Sequence, residues 1–176
     1  SGDGVTIKTG EKGVELTTGT PGGRIGIRLA AGEERFDWPV PAAQVPGPIQ
    51  GLLLPSGREA GRGRWDVPFQ VYSRRTEVVA DGPLFAEARV QYRFDVGTWT
   101  LSARVIEGSP MIVIQEDIRT GESGLKWNAF DMFFSIVLDG TGFRPEQVYF
   151  TGRSDLAECR TGRRGSACDD RRTTAD

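Results

Sequence analysis

Four tryptophans carry most of the chemistry this sequence advertises. Trp38 follows Asp37, Trp65 precedes Asp66 and Trp127 precedes Asn128. A flat indole beside a carboxylate or an amide suits a sugar, which presents a C–H face and a ring of hydroxyls. The same pairing arises where a loop tryptophan covers the end of a core and donates its N–H to a polar neighbour. Both readings stand for these three. Under the first, the carbohydrate-binding set is Trp38, Trp65, Trp127, Asp66 and Asn128. Trp99 is in phase with Leu101 and Ala103, which makes it a core residue.

Histidine is absent, so no Ser-His-Asp or Cys-His pair and no histidine-containing zinc site can be built from this chain. Acid–base work would fall to carboxylates. Glu107, Glu116 and Asp117 bracket one apolar run, and Asp131 stands near the start of another. A glycosidase needs two carboxyl groups flanking one bond at a defined separation. Spacing along the chain does not define such a pair, and charged residues on a wet sheet face are the usual case, so no catalytic residue is assigned. Glu116 shares a phase with Ile112, Ile114 and Ile118, so its carboxyl must be paired, hydrogen-bonded or raised in pKa. Arg89, Arg93 and Arg104 are candidate cross-strand partners.

No glycine-rich phosphate loop, paired CxxC or calcium-loop spacing is present, so no cofactor and no metal are expected. The 22 basic residues fall short of the 24 acidic ones, which argues against nucleic acid as a partner. No apolar run approaches the ~20 residues of a membrane span. Cys159 and Cys168 are close in sequence, and a disulfide between them would fit an oxidising setting. A reduced pair in a solvated tail is the competing reading. The tail arginines Arg153, Arg160, Arg163, Arg164, Arg171 and Arg172 alternate with acids that cancel much of their field. The chain starts at Ser1 with no signal-like segment, as expected of a mature or excised piece whose targeting peptide has been removed.

The elements that must position these groups read as strands. Between Leu84 and Ile118, Ala86, Ala88, Val90, Tyr92 and Phe94 alternate with charged or polar residues. So do Trp99, Leu101, Ala103 and Val105, and this period of two separates a core face from a wet face. Asp95-Val96-Gly97 and Glu107-Gly108-Ser109-Pro110 mark the turns. Met111-Ile112-Val113-Ile114 is apolar throughout, as expected for a strand covered on both faces. Short alternating runs occupy residues 5 to 29, and others follow at 67–79, 130–138 and 147–150. Residues 30–66 hold five prolines and read as an irregular insertion, either pinned down by Leu52-Leu53-Leu54 or serving as a binding loop. Residues 151–176 read as a polar tail or linker. The expected fold is all-β, a predominantly antiparallel β-sandwich over residues 1–150.

Two passages within residues 67–118 carry a resemblance. They are Asp81-Gly82-Pro83-Leu84-Phe85-Ala86-Glu87-Ala88-Arg89-Val90 with Tyr92-Arg93-Phe94, and Ile106-Glu107-Gly108-Ser109-Pro110-Met111-Ile112-Val113-Ile114-Gln115-Glu116. Together they resemble the mutarotase-like supersandwich domains of bacterial glycoside hydrolases and polysaccharide lyases. In several such enzymes the sandwich is accessory, and the acid and base come from a helical toroid or a neighbouring domain. The resemblance implies a carbohydrate-facing module of a larger secreted or periplasmic enzyme. Its partners would be a polysaccharide or oligosaccharide and further domains of the same polypeptide. A structural or adhesive extracellular sandwich is the alternative, in which the tryptophans cap the core.

Overall fold

The computed structural model describes residues 4–120 and, beyond them, four short strands by their backbone alone. In chain order the strands are β1 (Thr6–Gly10), β2 (Gly13–Thr20), β3 (Gly23–Leu29), β4 (Glu33–Pro41), β5 (Ile49–Leu53), β6 (Glu59–Ala60), β7 (Arg62–Trp65) and β8 (Gln70–Asp81). There follow β9 (Phe85–Phe94), β10 (Gly97–Ile106), β11 (Ile112–Thr120), β12 (Phe134–Val137), β13 (Gln147–Thr151), β14 (Leu156–Thr161) and β15 (Ser166–Cys168).

Two five-stranded antiparallel sheets form an all-β sandwich. The first has the order β1-β2-β3-β5-β6, and the second the order β11-β10-β9-β8-β4. Two-residue hairpins join β1 to β2, β2 to β3 and β9 to β10. Each is closed by a glycine with positive φ, Gly13, Gly23 or Gly97, where a side chain would strain the backbone. Strand β2 packs over β9 and β10. The period of two then fixes the core: Leu16, Ile27, Leu29 and Ile49 from one sheet meet Val90, Tyr92, Trp99, Leu101 and Val105 from the other, all without exposed surface. A hydrogen bond from the Thr18 hydroxyl to the Ile106 carbonyl (3.0 Å) ties the sheets together.

The stretch 30–66, expected to be irregular, contains β4 to β7 and one 3₁₀ turn at Ala42–Gln44. Its prolines are compatible with this because β4 is an edge strand. Pro39 lies where β4 leaves its register with β8, and Pro41 ends the strand, positions that need no ladder donor. Strand β11 corrects a second expectation. It ends its sheet rather than lying covered on both faces, and Met111, Val113 and Ile114 are all more than 40% exposed.

The chain divides into two compact units, residues 1–141 and 142–176. In the second, β13, β14 and β15 form a three-stranded antiparallel sheet. Segment 151–176, expected as a polar tail, thus contributes two strands.

Candidate functional site

The outer face of the second sheet is wet and largely self-paired. Glu77 lies 3.5 Å from both Arg75 and Arg89, and Arg104 donates twice to one Glu87 oxygen, at 2.8 and 2.5 Å. The pattern breaks where β4 meets β8. Strand β4 carries four residues between Arg35 and Val40, against the single Tyr72 between their partners Ser73 and Val71. A bulge at Tyr72 also interrupts the pairing of β8 with β9. A bulge re-aims side chains that regular alternation would send to opposite faces. Here it brings Tyr72 and Ser73 to the same cleft.

That cleft, of about 310 Å³, is lined by Arg35, Phe36, Asp37, Tyr72, Ser73 and Arg93. The Arg93 guanidinium lies over the Tyr72 ring at 5.7 Å, within the range of a cation–π contact. Phe36 is half-buried against the core and braces the bulge. Trp38, on the same bulge, is 82% exposed. Among the described residues, neither the Arg35 nor the Asp37 side chain has a hydrogen bond or an ion pair. The cleft therefore offers a phenol, guanidinium donors and a carboxylate acceptor whose bonding capacity is unspent, and the exposed Trp38 follows Asp37 on the same bulge. That suits a ligand with an apolar face and several hydroxyls.

A second cleft, of about 440 Å³, lies between the β1–β2 turn and β8 and includes Arg28, Arg62 and Arg74. Two of these are already engaged. Arg28 bridges Glu15 (2.9 Å) and Glu59 (2.6 Å), bonds that raise its pKa above the ordinary arginine value. Arg74 pairs with Glu34 at 3.2 Å.

The residues singled out in the sequence separate. Trp38 is open to solvent. Trp65 is not: it is 3% exposed and sits in the core, edge-on to Tyr92 (4.9 Å), Phe94 (5.1 Å) and Trp99 (4.8 Å). The expectation that Trp65 offers a face to sugar is thereby corrected, because β7 carries it inward. Asp66 is exposed beside it. Trp127, Asn128 and Asp131 lie outside the described residues. Tyr72, Arg35 and Arg93, missed as site residues, are recruited by bulges that a strict period of two conceals.

Glu116 faces the core side of β11, opposite Leu101, while Asp117 is opposite Thr100 on the outer side. These two carboxylates therefore cannot flank one bond. Desolvation raises the Glu116 pKa, and a hydrogen bond with the Trp99 side chain opposes the shift. Burial likewise raises the Tyr92 pKa well above the usual phenol value, with Arg74 acting against it, and the phenol donates to the Pro46 carbonyl at 2.6 Å. Among the described residues, no set of three or more carboxylates or thiols could hold a metal ion, and no helix is long and apolar enough to cross a membrane. No family model, no curated protein and no solved structure matches the chain.

Proposed function

We propose that this chain is a carbohydrate-facing β-sandwich module of a secreted or periplasmic carbohydrate-active enzyme, a glycoside hydrolase or a polysaccharide lyase. Its role there is to hold the saccharide, and the bond-breaking groups belong to another part of that enzyme. The observation that carries this reading is Trp38, 82% exposed on the β4 bulge whose preceding residues Arg35, Phe36 and Asp37 line a cleft with Tyr72, Ser73 and Arg93. Leaving an indole in water forgoes the stabilisation of burying it. Stacking on the C–H face of a pyranose would recover that stabilisation, and Asp37 and Ser73 would take up the hydroxyls.

A structural or adhesive module is the second reading, and one observation favours it. Leu84, Phe85, Ile106, Met111 and Val113 are all at least 40% exposed and come from neighbouring ends of β9, β10 and β11. Apolar surface gathered in this way suits contact with another domain. Affinity electrophoresis through a panel of soluble polysaccharides separates the two readings. The first expects retardation by at least one polymer and its loss in Trp38→Ala. Unretarded migration through the whole panel would leave the adhesive reading.

A further inference from the structure

The strand register lines up one more feature of the outer face. Arg35 pairs with Ser73, Ser73 with Arg93, Arg93 with Thr98 and Thr98 with Arg119, so a single row crosses the whole sheet. Its members alternate arginine, hydroxyl, arginine, hydroxyl, arginine. Successive arginines are two strand spacings apart, about 10 Å. The row contains no carboxylate. The neighbouring row, Glu33, Arg75, Gln91, Thr100 and Asp117, has one at each end.

Elsewhere on this face, among the described residues, the arginines each have a glutamate: Arg75 and Arg89 share Glu77, and Arg104 has Glu87. Among the described residues of the arginine–hydroxyl row, the Arg93 side chain rests on the Tyr72 ring alone and the Arg35 side chain has no partner. Arg119 pairs with Asp117 at 3.1 Å but stays 80% exposed. Two guanidiniums without a carboxylate, Arg35 and Arg93, and the exposed Arg119 beyond them, at a fixed spacing with hydroxyls between them, complement a chain of oxyanions that also carries hydroxyl groups. A guanidinium fork presents paired donors to a carboxylate or a sulfate.

We infer that the ligand of this face is an acidic polysaccharide, its anionic groups seated on Arg35 and Arg93 and its path running across the strands from Trp38 toward Arg119. The inference rests on the carbohydrate reading above and adds the charge of the ligand. Uronate carboxylates and sulfate esters share the required chemistry.

The test compares gel retardation of the whole chain by polygalacturonate, carboxyl-reduced polygalacturonate, dextran sulfate, unmodified dextran and poly-aspartate. Wild type is set beside Arg35→Ala, Arg93→Ala, Trp38→Ala and, as a control one row away, Arg75→Ala. The substituted side chains are exposed and outside the core, so the variants should fold, and near-ultraviolet circular dichroism checks that they do. The inference expects at least tenfold weaker binding of the uncharged form of whichever acidic polymer binds. It also expects a loss of about tenfold in each of Arg35→Ala and Arg93→Ala, against less than twofold in Arg75→Ala. Whether polygalacturonate or dextran sulfate binds identifies the anion.

Equal binding of charged and uncharged polymers, abolished by Trp38→Ala, would overturn the anionic assignment while leaving the carbohydrate reading intact. Poly-aspartate binding as tightly as the polysaccharides would reduce the row to ion exchange and overturn the inference. Retardation by none of the polymers would remove both readings.

Discussion

Trp38 and Trp65 look alike as residues in a sequence, each next to an aspartate in a proline- and glycine-rich stretch, yet the fold gives them opposite fates. What separates them is the strand each occupies, and no local pattern announced either strand. Trp65→Ala empties the centre of an aromatic cluster and should cost about 3–5 kcal/mol of unfolding free energy in urea titrations. Trp38→Ala removes a side chain that touches little, so its stability should stay within about 0.5 kcal/mol of the original while saccharide binding is lost. Equal destabilisation by both would contradict the burial described here. Glu116 was the more legible residue, because its phase with the isoleucines places it on the core side whatever the sheet order. Its pKa is raised in the folded chain, so with rising pH the unfolded chain loses this proton first. The contribution of the neutral carboxyl is complete below about pH 4 and is lost as pH climbs through the raised value. Glu116→Gln cannot ionise, so its stability relative to the original should grow between pH 4 and pH 7. The effect is small because solvent still reaches the carboxyl. Urea midpoints at both pH values measure it, and a difference that grows toward acid would refute the assignment.

Strands β9 and β10 could be read from their alternation nearly residue for residue, as could the turn at Asp95 and Val96. Strand β4 could not, because its long bulge and terminal prolines erase the period of two while the edge position removes the need for a full ladder. Strand β11 was recognised as a strand but not as an edge, since apolar composition does not encode the order of strands in a sheet. The site inherits this limit: it was assembled from two bulges, the elements least visible in a sequence. Glycines inside strands were equally silent about their reasons. A Cβ on Gly63 would run into the Ile49 carbonyl oxygen of the adjacent β5, whereas one on Gly51 would meet the Glu59 carboxylate, a movable side chain. Gly63→Ala should therefore cost about 1–3 kcal/mol, because backbone must shift. Gly51→Ala should cost under about 1 kcal/mol, because only the outer Arg28–Glu59 pair is disturbed. Thermal unfolding of the two variants ranks them, and the reverse order would show that the Arg28–Glu59 bridge, which ties β3 to β6, holds more firmly than exposed pairs do.

At the scale of the molecule, the all-β sandwich was legible because one pattern, repeated on strand after strand, leaves few other ways to cover its apolar faces. The boundary between units was not. The alternation assigns residues 147–150 to the sandwich and the composition assigns the following segment to a tail, but β13 pairs with β14 and β14 with β15 in the unit spanning 142–176. Residues 151–176 contain no aromatic residue, and a segment with so few large apolar side chains gains most from a covalent link. The register supplies one, because Cys159 and Cys168 are direct Cα partners across β14 and β15. Opposed residues in an antiparallel pair have Cα atoms roughly 4.5 or 5.5 Å apart, and both distances lie within the range a disulfide spans. We expect the bridge to form in an oxidising environment and, by the chain-entropy estimate for a loop of about ten residues, to contribute on the order of 2–3 kcal/mol to this unit. Reduction should then speed amide hydrogen exchange in β14 and β15 while leaving β9 and β10 as protected as before. Mass spectrometry after alkylation without reductant gives the direct reading. No added alkyl group means a closed bridge, and two mean that the sheet forms without one.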